Sequence, residues 1–142
     1  LFAERNIRFD HSNVDGAFMR AFEIDFDSIF YNLISNSIEA FVRLTEERER
    51  VIEISVETTE RAIVCTYRDT GPGLSEDIVN PNDIFQPLFT TKRSTTTGEE
   101  IGTGLGMWLV KLISEDNDAR VVLLTPPVGF GIQIIFPIKY RE

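Results

Sequence analysis

Two asparagines one helical turn apart, Asn32 and Asn36, are the first residues in this chain whose types and spacing point to chemistry. Asn weakens a helix interior because its amide competes for backbone partners, so a pair spaced i, i+4 in an apolar-periodic segment argues that two amide oxygens are wanted. Such oxygens suit a hard cation such as Mg²⁺, which takes one or two protein ligands and keeps water and phosphate oxygens for the rest. Glu39 and Arg43 continue the same stripe, and a plain solvent face is its other reading.

Asp69-Thr70-Gly71-Pro72-Gly73 supplies a second candidate. A carboxylate at a strand end can accept a hydrogen bond from an exocyclic amine. Adenine offers such an amine where guanine offers an oxygen, so Asp69 would select adenine. The glycines would let backbone approach a flat ligand closely, and an ordinary turn capped by Asp is the alternative. A third candidate, Gly102-Thr103-Gly104-Leu105-Gly106, precedes an apolar segment. A glycine-rich helix start presents free N–H groups and a positive dipole end to phosphate. It is no P-loop, lacking Gly-Lys-Ser/Thr, and no dinucleotide fingerprint, lacking a strand directly before it. Between these loops, Lys92 and Arg93 are cations at the root of a polar, threonine-rich run, 93–101, expected to be a mobile lid, while Phe85 and Phe89 read as core anchors.

These groups need elements to position them. The spacing predicts a long helix over 28–45 with Asp25 or Asp27 as N-cap, and a second helix from near Gly104 to about Asp116. On a wheel of 100° per residue, Phe30, Leu33, Ile34, Ser37, Phe41 and Leu44 form the packing face of the first, opposite the Asn stripe. Strands are expected at 6–9 and 17–22 around a turn at Asp15-Gly16, then at 51–58, 62–68, 120–125 and 131–137. The charged run 46–50 reads as a solvated helix end. Interspersed strands and helices with hairpin-like pairs predict an α/β sandwich, a mixed, mostly antiparallel sheet covered on one face by helices.

Composition bounds the rest. The 142 residues suit one domain, and 42% hydrophobic residues with 11 Phe exclude a disordered chain. The formal net charge of −9 argues against nucleic-acid binding. The greasiest stretch, 121–136, is broken by Thr125, Pro126, Pro127, Gly129 and Gly131, so no segment reads as a membrane span or signal peptide. Cys65 stands alone in a strand-like segment and reads as a buried small hydrophobe in a reducing, cytoplasmic setting. A start at Leu1 rather than Met predicts a piece of a longer protein.

Taken in order, the motifs resemble the ATP-binding catalytic domain of sensor histidine kinases, in the GHKL (Bergerat-fold) superfamily. Asn32 to Ala40 resembles the N box, Asp69 to Gly73 the first glycine box, Phe85 to Lys92 the F box with its Phe-Thr-Thr-Lys ending, and Gly102 to Gly106 the second glycine box. The resemblance covers about residues 24–137. It implies Asn36 as Mg²⁺ ligand, with Asn32 and Lys92 beside it as catalytic residues that hold the metal and phosphates. It implies Asp69, Gly71 and Gly73 at the adenine, and Phe89, Thr91, Lys92, Gly102, Thr103, Gly104, Leu105 and Gly106 around the rest of the ATP. Ser37 stands where the family usually has Ala, which reads as a mild change touching no proposed contact. Met107-Trp108 and Asn117-Asp118-Ala119 depart from the family around the second helix.

The superfamily's ATPases carry Glu, as base for water, at the position of Asn32. An amide cannot take that proton, which favours phosphoryl transfer to a protein over hydrolysis. His11 lies too close to the N box for a phosphoacceptor hairpin. The resemblance therefore implies a protein-histidine kinase whose dimerisation and phosphoacceptor hairpin is upstream or on another protein, acting with a response regulator. A GHKL ATPase, a protein-serine kinase and a silent nucleotide-sensing module are the alternatives.

Overall fold

The computed structural model describes residues 7–14, 23–87 and 106–138, with the side chains at 9, 11–14 and 23–25 left out. Five strands form one sheet: β1 (Ile7–Val14), β2 (Arg50–Thr58), β3 (Ala62–Asp69), β4 (Arg120–Leu124) and β5 (Phe130–Pro137), in the order β1-β2-β3-β5-β4. β1 runs parallel to β2 and every other pairing is antiparallel. This is the mixed, mostly antiparallel sheet expected from the sequence. Two helices, α1 (Glu23–Val42) and α2 (Gly106–Asp116), share a core with it, and a short 3-10 helix spans Pro81–Phe85.

Strand alternation decides which side chains face the helices. Ile52 and Ile54 of β2, Ile63, Cys65 and Tyr67 of β3, and Ile132, Ile134 and Phe136 of β5 are all buried. Their register puts them on one face, with Ile54 opposite Tyr67 and Tyr67 opposite Ile132. Ile29, Leu33 and Phe41 of α1 and Val110 of α2 complete the core. Each such side chain contributes roughly 1.5–3 kcal/mol through removal from water. Cys65 is buried among them and its thiol is pushed up to about 11 by desolvation, as its small-hydrophobe reading requires.

α1 begins five residues before the expected 28. Its apolar stripe continues backward through Ile29 and Phe26, whose ring lies 4.9 Å from that of Phe136 on β5. Asp25 and Asp27 are thus inside the helix rather than its N-cap. The helix closes with Arg43 N–H on Ala40 C=O (3.0 Å) and Leu44 N–H on Phe41 C=O (3.2 Å), a tightened last turn. Residues 43–49 are therefore a loop, not the solvated helix end expected of 46–50, and Arg50 opens β2. β1 extends past the expected 6–9 and carries a register shift between Asp10 and Asn13, so His11 sits in a bulged strand. The strand expected at 17–22 lies outside the described residues.

α2 ends where the family-like sequence departs from its pattern. Asp118 adopts φ 58°, and Ala119 N–H reaches Ser114 C=O at 2.9 Å while Asp118 N–H reaches Glu115 C=O at 2.9 Å. Asp tolerates this left-handed position, so the chain reverses there without a glycine. Among the described residues no helix is long and apolar enough to cross a membrane.

Candidate functional site

The inward face of β3 reads Ile63, Cys65, Tyr67 and then Asp69, so alternation alone carries a carboxylate onto the apolar side of the sheet. Asp69 is only 4% exposed. Its Oδ1 accepts from Gly71 N–H (2.9 Å) and Phe130 N–H (3.3 Å), and its Oδ2 accepts from the Ser37 hydroxyl at 2.6 Å. Burial raises its pKa, while the donors from Ser37, Gly71 and Phe130 act in the opposite direction. A carboxylate so held is a fixed acceptor at the end of a strand.

The turn around it is built by close packing. Gly73 (φ +77°) and Gly129 (φ +79°) both occupy the left-handed region. A Cβ on Gly129 would lie 1.8 Å from Asp69 C=O, so the β4–β5 turn nests directly on the Asp69–Gly73 turn. A Cβ on Gly71 would lie 3.6 Å from that of Ala40, which puts this turn against α1. Thr70 stitches the same turn to β2: its hydroxyl donates to Glu49 C=O (2.7 Å) and accepts from Val51 N–H (2.8 Å). Arg48, half-buried in the loop after α1, points Nη1 at Thr70 C=O and Gly71 C=O, each at 3.4 Å.

The asparagines occupy the neighbouring face of α1. Asn32 donates Nδ2–H to Ser28 C=O (2.7 Å), which aims its Oδ1 away from its own helix. A Cβ built on Gly106, the first residue of α2, would lie 3.3 Å from that Oδ1 and 3.6 Å from Oδ1 of Asn36. Asn32 and Asn36 are partly buried rather than solvated, because the start of α2 packs on them. Two amide oxygens thus lie close to the first residue of α2, where a side chain would crowd Asn32. Such hard neutral oxygens fit Mg²⁺, whose other positions go to phosphate and water.

Of the expected site residues, the structure brings together Asp69, Gly71 and Gly73 at one face of α1, and Asn32, Asn36 and Gly106 at the face next to it. Phe89, Thr91, Lys92, Gly102, Thr103, Gly104 and Leu105, together with the lid 93–101, lie outside the described residues. Phe85 is the core anchor expected: it is buried on the 3-10 helix, with Lys111 Nζ 5.3 Å from its ring centroid.

The reading of Ser37 as a mild change touching no contact is corrected. Its hydroxyl is the partner of Asp69 Oδ2 and also lies 2.6 Å from the Tyr67 hydroxyl. Tyr67, Gly129, Phe130, Thr70 and Arg48 also escaped the motif reading. A glycine-flanked Phe130 opening the last strand was a visible signal. The Arg48 contact had none, since it depends on how a loop folds back.

Residues 22–140 match the family described as histidine kinase-, DNA gyrase B-, and HSP90-like ATPase. The chain belongs to that family. It is 28% identical over 107 residues to the sensor histidine kinase TmoS of Ectopseudomonas mendocina, covering 75% of this chain and 10% of that protein. It is 26% identical over 140 residues to sporulation kinase C of Bacillus subtilis, covering 98% of this chain and 28% of that protein. The chain thus spans less than a third of either relative. Among solved structures, Acinetobacter baumannii histidine kinase AdeS superposes with a TM-score of 0.71 at 16% identity, over 98% of this chain and 58% of that one. The nucleotide-free catalytic domain of histidine kinase ThkA gives 0.68 at 24% identity, over 96% and 82%. The fold is that of the ATP-binding catalytic domain of sensor histidine kinases, as the motifs implied.

Proposed function

We propose that this domain binds Mg²⁺-ATP and transfers the γ-phosphoryl group to a histidine on a separate dimerisation and phosphoacceptor hairpin, from which a response regulator receives it. The observation that carries this reading is the convergence of the Asn32 and Asn36 oxygens on the first residue of α2. Asp69 would accept a hydrogen bond from the adenine amine, with Gly71 and Gly73 shaping the wall beside it. Asn36 would hold the metal, Asn32 would support the phosphates, and the N–H groups at the start of α2 would face their charge. When bound, Mg²⁺ supplies neutralisation of charge on the β- and γ-phosphates.

The protein's part in such a transfer is positioning and charge placement, as the incoming imidazole nitrogen displaces ADP in line. Asn32 has no basic group with which to activate water, and this supports transfer over hydrolysis. The formal net charge of −9 supports a protein rather than a nucleic-acid partner, and the domain would act in the cytoplasm. The test is calorimetry with and without Mg²⁺, together with autophosphorylation of the parent protein. Asn36→Ala should remove the Mg²⁺-dependent part of ATP affinity, about tenfold or more, and abolish autophosphorylation. A parent protein that still phosphorylates itself with this substitution would overturn the reading.

A further inference from the structure

We infer that Ser37 and Tyr67 are positioning residues that set the base preference of the nucleotide site, by fixing Asp69 as an acceptor toward a 6-amino purine. This rests on the reading of Asp69 as the base-contacting group. Three short contacts run in a line: Asp69 Oδ2 to Ser37 Oγ at 2.6 Å, Ser37 Oγ to Tyr67 Oη at 2.6 Å, and Tyr67 Oη to Leu33 C=O at 3.1 Å. Ser37 and Tyr67 are each 2% exposed, so solvent does not compete for these groups.

Two hydroxyl protons serve three contacts, and their direction follows from the end group. With Asp69 ionised, Ser37 gives its proton to Oδ2. The Tyr67 hydroxyl is then the donor for both of its contacts, chiefly to Ser37 Oγ at 2.6 Å and more weakly to Leu33 C=O at 3.1 Å. The line runs Tyr67 to Ser37 to Asp69, and the remaining lone pair on Oδ2 must meet an N–H donor. With an amide at position 69 the line would reverse: position 69 to Ser37, Ser37 to Tyr67, Tyr67 to Leu33 C=O. All three contacts would then be filled, and the second N–H of that amide would face a carbonyl ligand. Tyr67 remains a donor because burial holds its phenol protonated far above neutral pH. The residue at position 69 therefore sets the polarity: the native carboxylate, held by Ser37, is matched to a 6-amine, and an amide would be matched to a 6-oxo group. A serine at position 37 joins Tyr67 to Asp69; an alanine there breaks the line and leaves Oδ2 without its protein donor.

Calorimetry of the chain with ATP and with inosine 5′-triphosphate, its 6-oxo analogue, tests this. The wild type should prefer ATP. Ser37→Ala should weaken ATP about tenfold and leave the analogue unchanged or tighter, so the preference falls by about that factor. Tyr67→Phe keeps the ring in the core and removes only the hydroxyl, and should lower the preference about threefold. Thermal melts without nucleotide show that both variants fold. Equal weakening of the two nucleotides, or a preference unchanged by Ser37→Ala, overturns the inference while Asp69 keeps its role. A wild type that does not distinguish the nucleotides overturns the adenine reading and this inference with it.

Discussion

Asp69→Asn separates the cost of a buried charge from its use. In the variant, the amide oxygen keeps the two backbone donors, Gly71 N–H and Phe130 N–H, that Oδ1 accepts at 2.9 and 3.3 Å. The amide nitrogen takes the place of Oδ2 and donates to Ser37, so no buried group is orphaned. Its second N–H then faces the adenine amine, donor against donor. Losing a hydrogen bond to a charged acceptor costs about 1.5–3 kcal/mol, so ATP affinity should fall about 10- to 150-fold, while the 6-oxo analogue loses less or gains. Stability should move the other way. Burial raises the Asp69 pKa, so the ionised form is disfavoured in the folded chain. For a carboxylate raised in this sense the penalty is absent below the unfolded value, grows as pH rises through the window between unfolded and folded values, and stays in full above it. At pH 7 the variant should therefore melt above the wild type, with the gap closing as the pH is lowered toward about 4. Calorimetry and melting curves across pH read both effects. ATP affinity within threefold of wild type, or a melting point several degrees lower at pH 7, would refute Asp69 as a costly buried acceptor for the base.

Two further expectations follow from packing. Gly129→Ala forces a Cβ to within 1.8 Å of Asp69 C=O at a φ of +79°, so it should cost more than about 3 kcal/mol, or roughly 10 °C in Tm, and displace the Asp69 turn. A melting curve and a heteronuclear spectrum check this, and a native-like Tm would show that the two turns do not nest as described. Phe85→Ala removes a buried ring that anchors the 3-10 helix beside α2, and should cost about 3–5 kcal/mol by urea unfolding; a loss under about 1 kcal/mol would refute its anchoring role.

Much of this was legible in residue order. The strands β2, β3 and β5 follow an alternation that can be counted in the sequence, and Asp69 falls on the inward side simply by continuing Ile63, Cys65 and Tyr67. The Asn pair was visible as two poor helix formers one turn apart. The start of α1 was misplaced because Asp25 and Asp27 look like caps, and only the docking of Phe26 on Phe136 shows why the helix runs back past them. Arg48 and Thr70 were illegible for a different reason: their contacts are to backbone carbonyls and amides whose positions no residue type encodes. Ser37 was seen and undervalued. Its meaning came from Tyr67, 30 residues away, which the fold sets 2.6 Å from its hydroxyl.

The position of Ser37 also explains why one helix serves the whole site. Residues 36 and 37 differ by 100° around α1, so the stripe proposed to face the metal and the stripe proposed to face the base are adjacent rather than opposed. Asn32 and Asn36 look toward the start of α2, while Ser37 and Ala40 look toward the Asp69–Gly73 turn. A rotation of α1 that improved one set of contacts would spoil the other, so the sheet and α2 must fix the helix about its own axis. Leu33 and Phe41, each 1% exposed, provide that lock, and Leu33 adds a second one through its carbonyl contact with Tyr67. A ligand spanning both faces would therefore read the rotation of α1 as well as its side chains. Substitutions that loosen Leu33 or Phe41 should then weaken the base contact and the metal contact together, whereas Ser37→Ala and Asn36→Ala should each weaken only one.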